Sequence, residues 1–202
     1  MRLGIFGGTF DPPHIGHLIL ASEAQEQLAL DRVLWVLTPH PPHKTDQKVT
    51  STIDRLDLLR LALGDDQHFE ISRVDIDRPP PHFAVDTLRL LHAQFPQATL
   101  VFLMGSDSLD DLPQWHTPRD FLHECDELGV MCRPGREIDL SELEKLLPGA
   151  SGRVYFLEAP LLEISSTRLR EKIADGGSYR YYLPPAVWRL IEEKGLYSER
   201  SA

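Results

Sequence analysis

Leu3-Gly4-Ile5-Phe6-Gly7-Gly8-Thr9-Phe10-Asp11-Pro12-Pro13-His14-Ile15-Gly16-His17 is the stretch that decides the fold. Residues 3–6 form a short apolar run with strand character, and a helix-like pattern follows over residues 15–28. The motif is therefore a strand, a turn and a helix. Gly7 and Gly8 are expected to let the backbone turn tightly and to allow close approach. Pro13 suits the first helical position, where its missing N–H costs nothing. His14 and His17 are spaced to share one helical face. Gly16 between them is a poor helix former, expected where bulk would obstruct a ligand. A helix N-terminus carrying two imidazoles suits phosphate oxygens. A zinc reading lacks a third ligand at metal-site spacing, so no protein-held metal is expected.

Outward from this motif, strand-like and helix-like segments alternate. Strands are expected at residues 33–37, 69–74, 99–104, 128–131 and 154–157, with 99–104 the most apolar and central. Helices are expected after Ser51 through Leu63, at 85–93, 140–147 and 166–174, and from Pro184-Pro185 to a left-handed cap at Gly195. In the Ser51 helix, Ile53, Leu56, Leu59 and Leu63 are expected to form the apolar face. Alternation of this kind implies an α/β fold with a doubly wound, mostly parallel sheet, and no linker divides residues 1–202 into more than one domain. Ligands of such sheets bind at the carboxyl ends of the strands. The unusual residues do follow strand ends: residues 7–17, 38–44, 105–115 and Arg133-Pro134-Gly135.

Composition narrows the function. The 202 residues are 42% hydrophobic and 26% charged, ordinary for a globular protein. A net charge of −10 argues against a nucleic-acid partner, which needs a basic surface. No apolar run reaches the roughly 20 residues that span a bilayer, and a strand starts at once after Met1, so neither membrane nor signal peptide is expected and the location is expected to be cytoplasmic. Cys125 and Cys132 suggest small core residues under reducing conditions. A homo-oligomer remains open.

Further motifs add chemistry. His43 and Lys44 end a proline-stiffened loop and could reach a phosphate. Gly105-Ser106-Asp107 follows the central strand, where an acidic side chain can hold ribose hydroxyls or simply cap a helix. Trp115 lies in a polar, Pro-containing loop that fits a stacking role better than a core one. Ser165, Ser166 and Thr167 open a helix, an anion site by geometry, and Arg170 adds a fixed charge. The N–H groups near Phe83 and Ala84, leading into the helix of Asp86-Thr87-Leu88, suit a carboxylate.

The string Gly7 to His17 resembles the signature of the H-x-G-H nucleotidyltransferases, and the chain as a whole resembles the nicotinate mononucleotide adenylyltransferases. Pro41-Pro42-His43-Lys44, Gly105-Ser106-Asp107 through Trp115, Asp86-Thr87-Leu88 and Ile164-Ser165-Ser166-Thr167-Arg168-Leu169-Arg170 carry the resemblance in order. It implies a Rossmann-like nucleotidyltransferase fold and adenylyl transfer from ATP, accompanied by Mg²⁺, to nicotinate mononucleotide, giving deamido-NAD and pyrophosphate. It further implies that His14, His17 and Arg170 hold the ATP phosphates and that Gly7, Gly8, Thr9, Phe10, Gly105, Asp107, Ser165, Ser166 and Thr167 bind ATP. His43, Lys44, Phe83, Ala84 and Trp115 would bind the mononucleotide, Trp115 by stacking on the pyridine ring. The family's Tyr-Thr pair ahead of its Asp-Thr-Leu is here Phe83-Ala84. A sister transferase using nicotinamide mononucleotide or phosphopantetheine, and a sensing module without turnover, are the competing readings.

Overall fold

The computed structural model describes residues 1–40, 49–132, 139–160 and 162–198. Within these, six strands form one sheet: β1 (Arg2–Gly8), β2 (Arg32–Leu37), β3 (Phe69–Ser72), β4 (Thr99–Gly105), β5 (Glu127–Met131) and β6 (Val154–Leu157). Their order is β3-β2-β1-β4-β5-β6, and every pairing is parallel. The chain winds from β1 to one edge, then restarts beside β1 and winds to the other. The carboxyl ends of β1 and β4 therefore flank the switch point, where helices leave to opposite sides and a crevice opens.

Alternation along the central strands sorts side chains between the two faces. Leu3, Ile5, Leu34, Val36, Leu100 and Phe102 share a core with α3 (Ala84–Gln94) and α5 (Pro118–Glu124). Phe6, Val33, Trp35, Leu37, Val101 and Leu103 pack with α1 (Ile15–Gln27) and α2 (Thr52–Leu63). Burial on both faces is why β2 and β4 read as unbroken apolar runs. Between β4 and α5 lies the short α4 (Ser106–Asp111), and α6 (Leu140–Leu146) lies between β5 and β6. After β6, α7 (Ser166–Ala174) and α8 (Pro185–Lys194) join Leu58 of α2 in a third cluster through Leu169, Ile173, Val187 and Ile191. Among the described residues, no helix is long and apolar enough to cross a membrane.

Several expectations change. Gly7 and Gly8 do not turn: both belong to β1 and pair in register with Val36 and Leu37. The turn lies at Phe10, whose φ is +47°. Gly8 serves a different need, since a Cβ there would sit 2.8 Å from the Phe10 ring. Pro13 lies outside α1, whose N-cap is His14. Leu56, Leu59 and Leu63 of α2 are buried as expected, but Ile53 is 73% exposed, and Arg55 and Leu58 join the buried side instead. Trp115 follows α4 and a 3₁₀ turn at Leu112–Gln114 rather than an open loop, and α5 after it was not expected from the sequence. Gly195 does end α8 with φ +62°. His43 and Lys44, like Arg133-Pro134-Gly135, lie outside the described residues.

Candidate active site

Two helix N-termini converge on the turn after β1. The Ser166 hydroxyl donates to the Pro12 carbonyl at 2.8 Å, and Arg170 Nη1 donates to the Asp11 carbonyl at 2.8 Å. The first turn of α7 is thereby tied to the segment that leads into α1. Ser165 caps α7, its hydroxyl accepting from the Arg168 N–H at 3.2 Å. The positive ends of a 13-residue and a nine-residue helix thus face one region.

The two histidines stack, with ring centroids 3.6 Å apart at 25°. The His14 backbone N–H donates to His17 Nδ1 at 3.1 Å. That nitrogen must then be unprotonated, so Nε2 of neutral His17 carries the proton and is the donor nitrogen. His14 is 5% exposed, and burial lowers its pKa to about 4. At neutral pH it acts as a dipole rather than a cation. Gly16 owes its identity to this stack: a Cβ there would meet His14 Nδ1 at 3.1 Å and Cε1 at 3.2 Å. A side chain at position 16 would thus press on the His14 ring.

Two cavities open beside the turn and share Gly105 and Ser108. The first, about 450 Å³, is lined by Gly7, Gly8, Thr9 and His17 at one end and by His82, Phe83, Ala84 and Trp115 at the other. Trp115 is half-buried, its ring edge-on to Phe121 at 5.1 Å and near Phe102 at 6.0 Å. One side of the indole completes the core and another faces the cavity. Phe83, the N-cap of α3, stacks on His116 at 3.9 Å across the cavity rim. The second cavity, about 360 Å³, is lined by Asp107, Met131, Cys132, Ile164, Ser165 and Arg168. Phe10 is 2% exposed and packs against Phe6, Trp35 and His17; it shapes the turn from behind. Thr167 lies beside Arg170, its hydroxyl 3.5 Å from Nη2.

Three positioning residues escaped the sequence reading. Arg55, 1% exposed, donates to the carbonyls of Thr9, Thr38, Pro39 and Thr50 at 2.8–2.9 Å, sewing the turn to the end of β2. Its signal was a charge four residues before Leu59 on the buried stripe of α2. The buried Asp11 carboxylate accepts from the Thr50 N–H at 3.2 Å and the Tyr197 hydroxyl at 2.8 Å. Burial and the Asp11 charge raise the Tyr197 pKa well above that of an ordinary phenol, so it stays a donor. No local pattern could announce a contact 186 residues apart.

A sequence profile of the cytidylyltransferase-like family matches residues 5–172. A Thermomicrobium roseum protein named "Probable nicotinate-nucleotide adenylyltransferase" is 47% identical over 196 residues, covering 97% of this chain and 91% of that one. A Thermus thermophilus protein of the same name is 43% identical over 197 residues, covering 98% and 100%. Among solved structures, the Plasmodium falciparum nicotinic acid mononucleotide adenylyltransferase complexed with NaAD superposes with a TM-score of 0.79 over 97% of each chain, at 20% identity, a likeness of fold. The chain belongs to the cytidylyltransferase-like family and, within it, to the nicotinate-nucleotide adenylyltransferases.

Proposed function

We propose that this chain transfers the adenylyl group of ATP to nicotinate mononucleotide, forming deamido-NAD and pyrophosphate, with residues 1–202 acting as one nucleotidyltransferase domain. The observation that carries this reading is the pair of cavities meeting at Gly105 and Ser108 beside two converging helix N-termini. The second cavity takes adenosine, with Asp107 accepting from ribose hydroxyls. The first takes the mononucleotide, with the pyridine ring against Trp115 and its carboxylate at the Phe83 and Ala84 N–H groups. An oxygen of the mononucleotide 5′-phosphate attacks the ATP α-phosphorus in line, and the bond from that phosphorus to the bridging oxygen of the β-phosphate breaks.

Charge that accumulates on the phosphate oxygens meets the His17 Nε2–H, the N–H groups of α1 and α7, the Ser166 and Thr167 hydroxyls and the Arg170 guanidinium. Positioning and fixed dipoles supply the rate, with no covalent intermediate. His14 stacks behind His17 and holds its ring, and Lys44 and His43 extend the phosphate site. Mg²⁺ supplies further charge neutralisation when it arrives with ATP. The ion would be carried mainly by phosphate oxygens and water.

Incubation with ATP and Mg²⁺ plus nicotinate mononucleotide, nicotinamide mononucleotide or phosphopantetheine, with pyrophosphate as readout, tests the assignment. Pyrophosphate release is expected with the nicotinate form and at roughly 10²-fold lower kcat/KM with the amide. Equal rates would favour the nicotinamide-using sister activity, and no release with any acceptor would favour a sensing module.

A further inference from the structure

Among the described residues, four buried side chains have a polar atom without a hydrogen-bond partner: His14, Trp35, His82 and Ser106. Of these, only His82 lines the first cavity. Its ring is 4% exposed, and neither Nδ1 nor Nε2 has a partner. Leaving such atoms unpaired in a protein interior is costly, and a ligand that pairs them recovers the difference.

The residue is also held in place from both sides. Arg78 Nη1 donates to the Pro81 carbonyl at 2.8 Å, and Nη2 donates to the Phe83 carbonyl at 3.2 Å. The backbone on either side of His82 is thereby clamped while the ring itself is left unpaired. Nearby charges are already engaged with one another. Asp75 Oδ1 accepts from Arg78 Nη2 at 2.9 Å and from the Thr87 hydroxyl at 2.8 Å. From the end of β2, His40 stacks on the ring at 5.9 Å and 13°. From beyond Trp115, His116 covers Phe83. Asp75, Arg78, His40 and His116 are the titratable and charged groups around the ring among the described residues.

The residues that follow are Phe83 and Ala84, the N-cap and first residue of the 11-residue α3, whose positive end favours an anion. We propose that His82 is a specificity-determining side chain that completes the receptor for the pyridine carboxylate, taking up a proton as the acid binds. The inference rests on the first cavity being the mononucleotide site. Desolvation holds the free imidazole below its ordinary pKa, with Arg78 and His40 adding to the effect and Asp75 opposing it. The empty site is therefore neutral at pH 7. An arriving carboxylate reverses the balance, because an opposite charge favours the protonated ring. A carboxamide carries no charge and draws no proton.

The test uses the full chain and its His82→Gln and His82→Ala variants. Steady-state kinetics with nicotinate and nicotinamide mononucleotides are compared, and nicotinate mononucleotide binding is followed by calorimetry at pH 7.5 in two buffers of different ionisation enthalpy. The parent is expected to show buffer-dependent proton uptake with the acid. Both variants should lose that uptake and at least tenfold in kcat/KM for the acid, mainly through KM, with the amide changed less than threefold and the KM for ATP unchanged. An unaltered ATP KM also shows that the variants are folded; a variant that fails this check is replaced by His82→Asn. Parent turnover of the acid with no proton uptake, or equal losses for acid and amide, would overturn the role of His82 and leave the function standing. A parent that does not turn over the acid would overturn both.

Discussion

His17 lines the first cavity, and with its Nδ1 accepting from the His14 backbone, Nε2–H is the donor of its neutral ring. If that donor meets charge that grows in the transition state, His17→Ala should lower kcat by roughly 10²–10⁴-fold while KM values move little. An alanine variant within a few-fold of the parent would remove His17 from the mechanism. His14 makes a separate, pH-dependent prediction. Its pKa falls from 6.5 to about 4 on folding, so between those values the unfolded chain binds more protons than the folded one. Stability is therefore full above pH 6.5 and is lost as pH falls toward 4, by up to about 3 kcal/mol. Urea midpoints at pH 7 and pH 4.5 should lie closer together in His14→Asn than in the parent.

At the scale of elements, α1 trades helix stability for the geometry of the stack. Alanine at position 16 would raise helix propensity by up to about 1 kcal/mol, yet its Cβ would press on the His14 ring. Gly16→Ala is expected to melt at the parent temperature or slightly above it, with kcat at least tenfold lower. Full activity in that variant would show that the ring stack tolerates displacement. The elements themselves were largely legible, because long amphipathic patterns and β-branched runs depend on neighbours in sequence. β6 and α7 match their expected bounds, and Ser51 caps α2 through the Asp54 N–H as its position implied. What misled was local chemistry with a tertiary cause. Gly7-Gly8 looks like a turn but lies in a strand, and at Gly8 the Phe10 ring needs the space. Ile53 looks like core, but the first turn of α2 rotates it outward. Trp115 looked like loop because α4 is too short to show a period.

Across the whole molecule, Arg55 joins three chain segments beside the site: residues 9, 38–39 and 50. Its charge is buried in a protein of net charge −10, and its hydrogen bonds go to neutral oxygens. Arg55→Met should destabilise the protein by about 3–5 kcal/mol, since four buried carbonyls lose their donors. Arg55→Lys should recover less than half of that, because a single ammonium cannot span the four carbonyls. Chemical denaturation of the two variants checks the order. The residues assigned to binding could be read from the sequence as motifs because they are contiguous. Those that position them were not, because Arg55, Asp11 and Tyr197 acquire their roles only after folding.

The bond between Tyr197 and Asp11 has a consequence for synthesis. The last strand of the sheet ends at Leu157, so everything needed to pair the six strands has been translated by then. Ser166, Arg170 and Tyr197, which fasten the turn after β1, emerge afterwards. A ribosome therefore carries a sheet that can already assemble but whose phosphate end is still loose. A chain cut short after β6 would hold every strand of the sheet and lack all three fastenings of that turn.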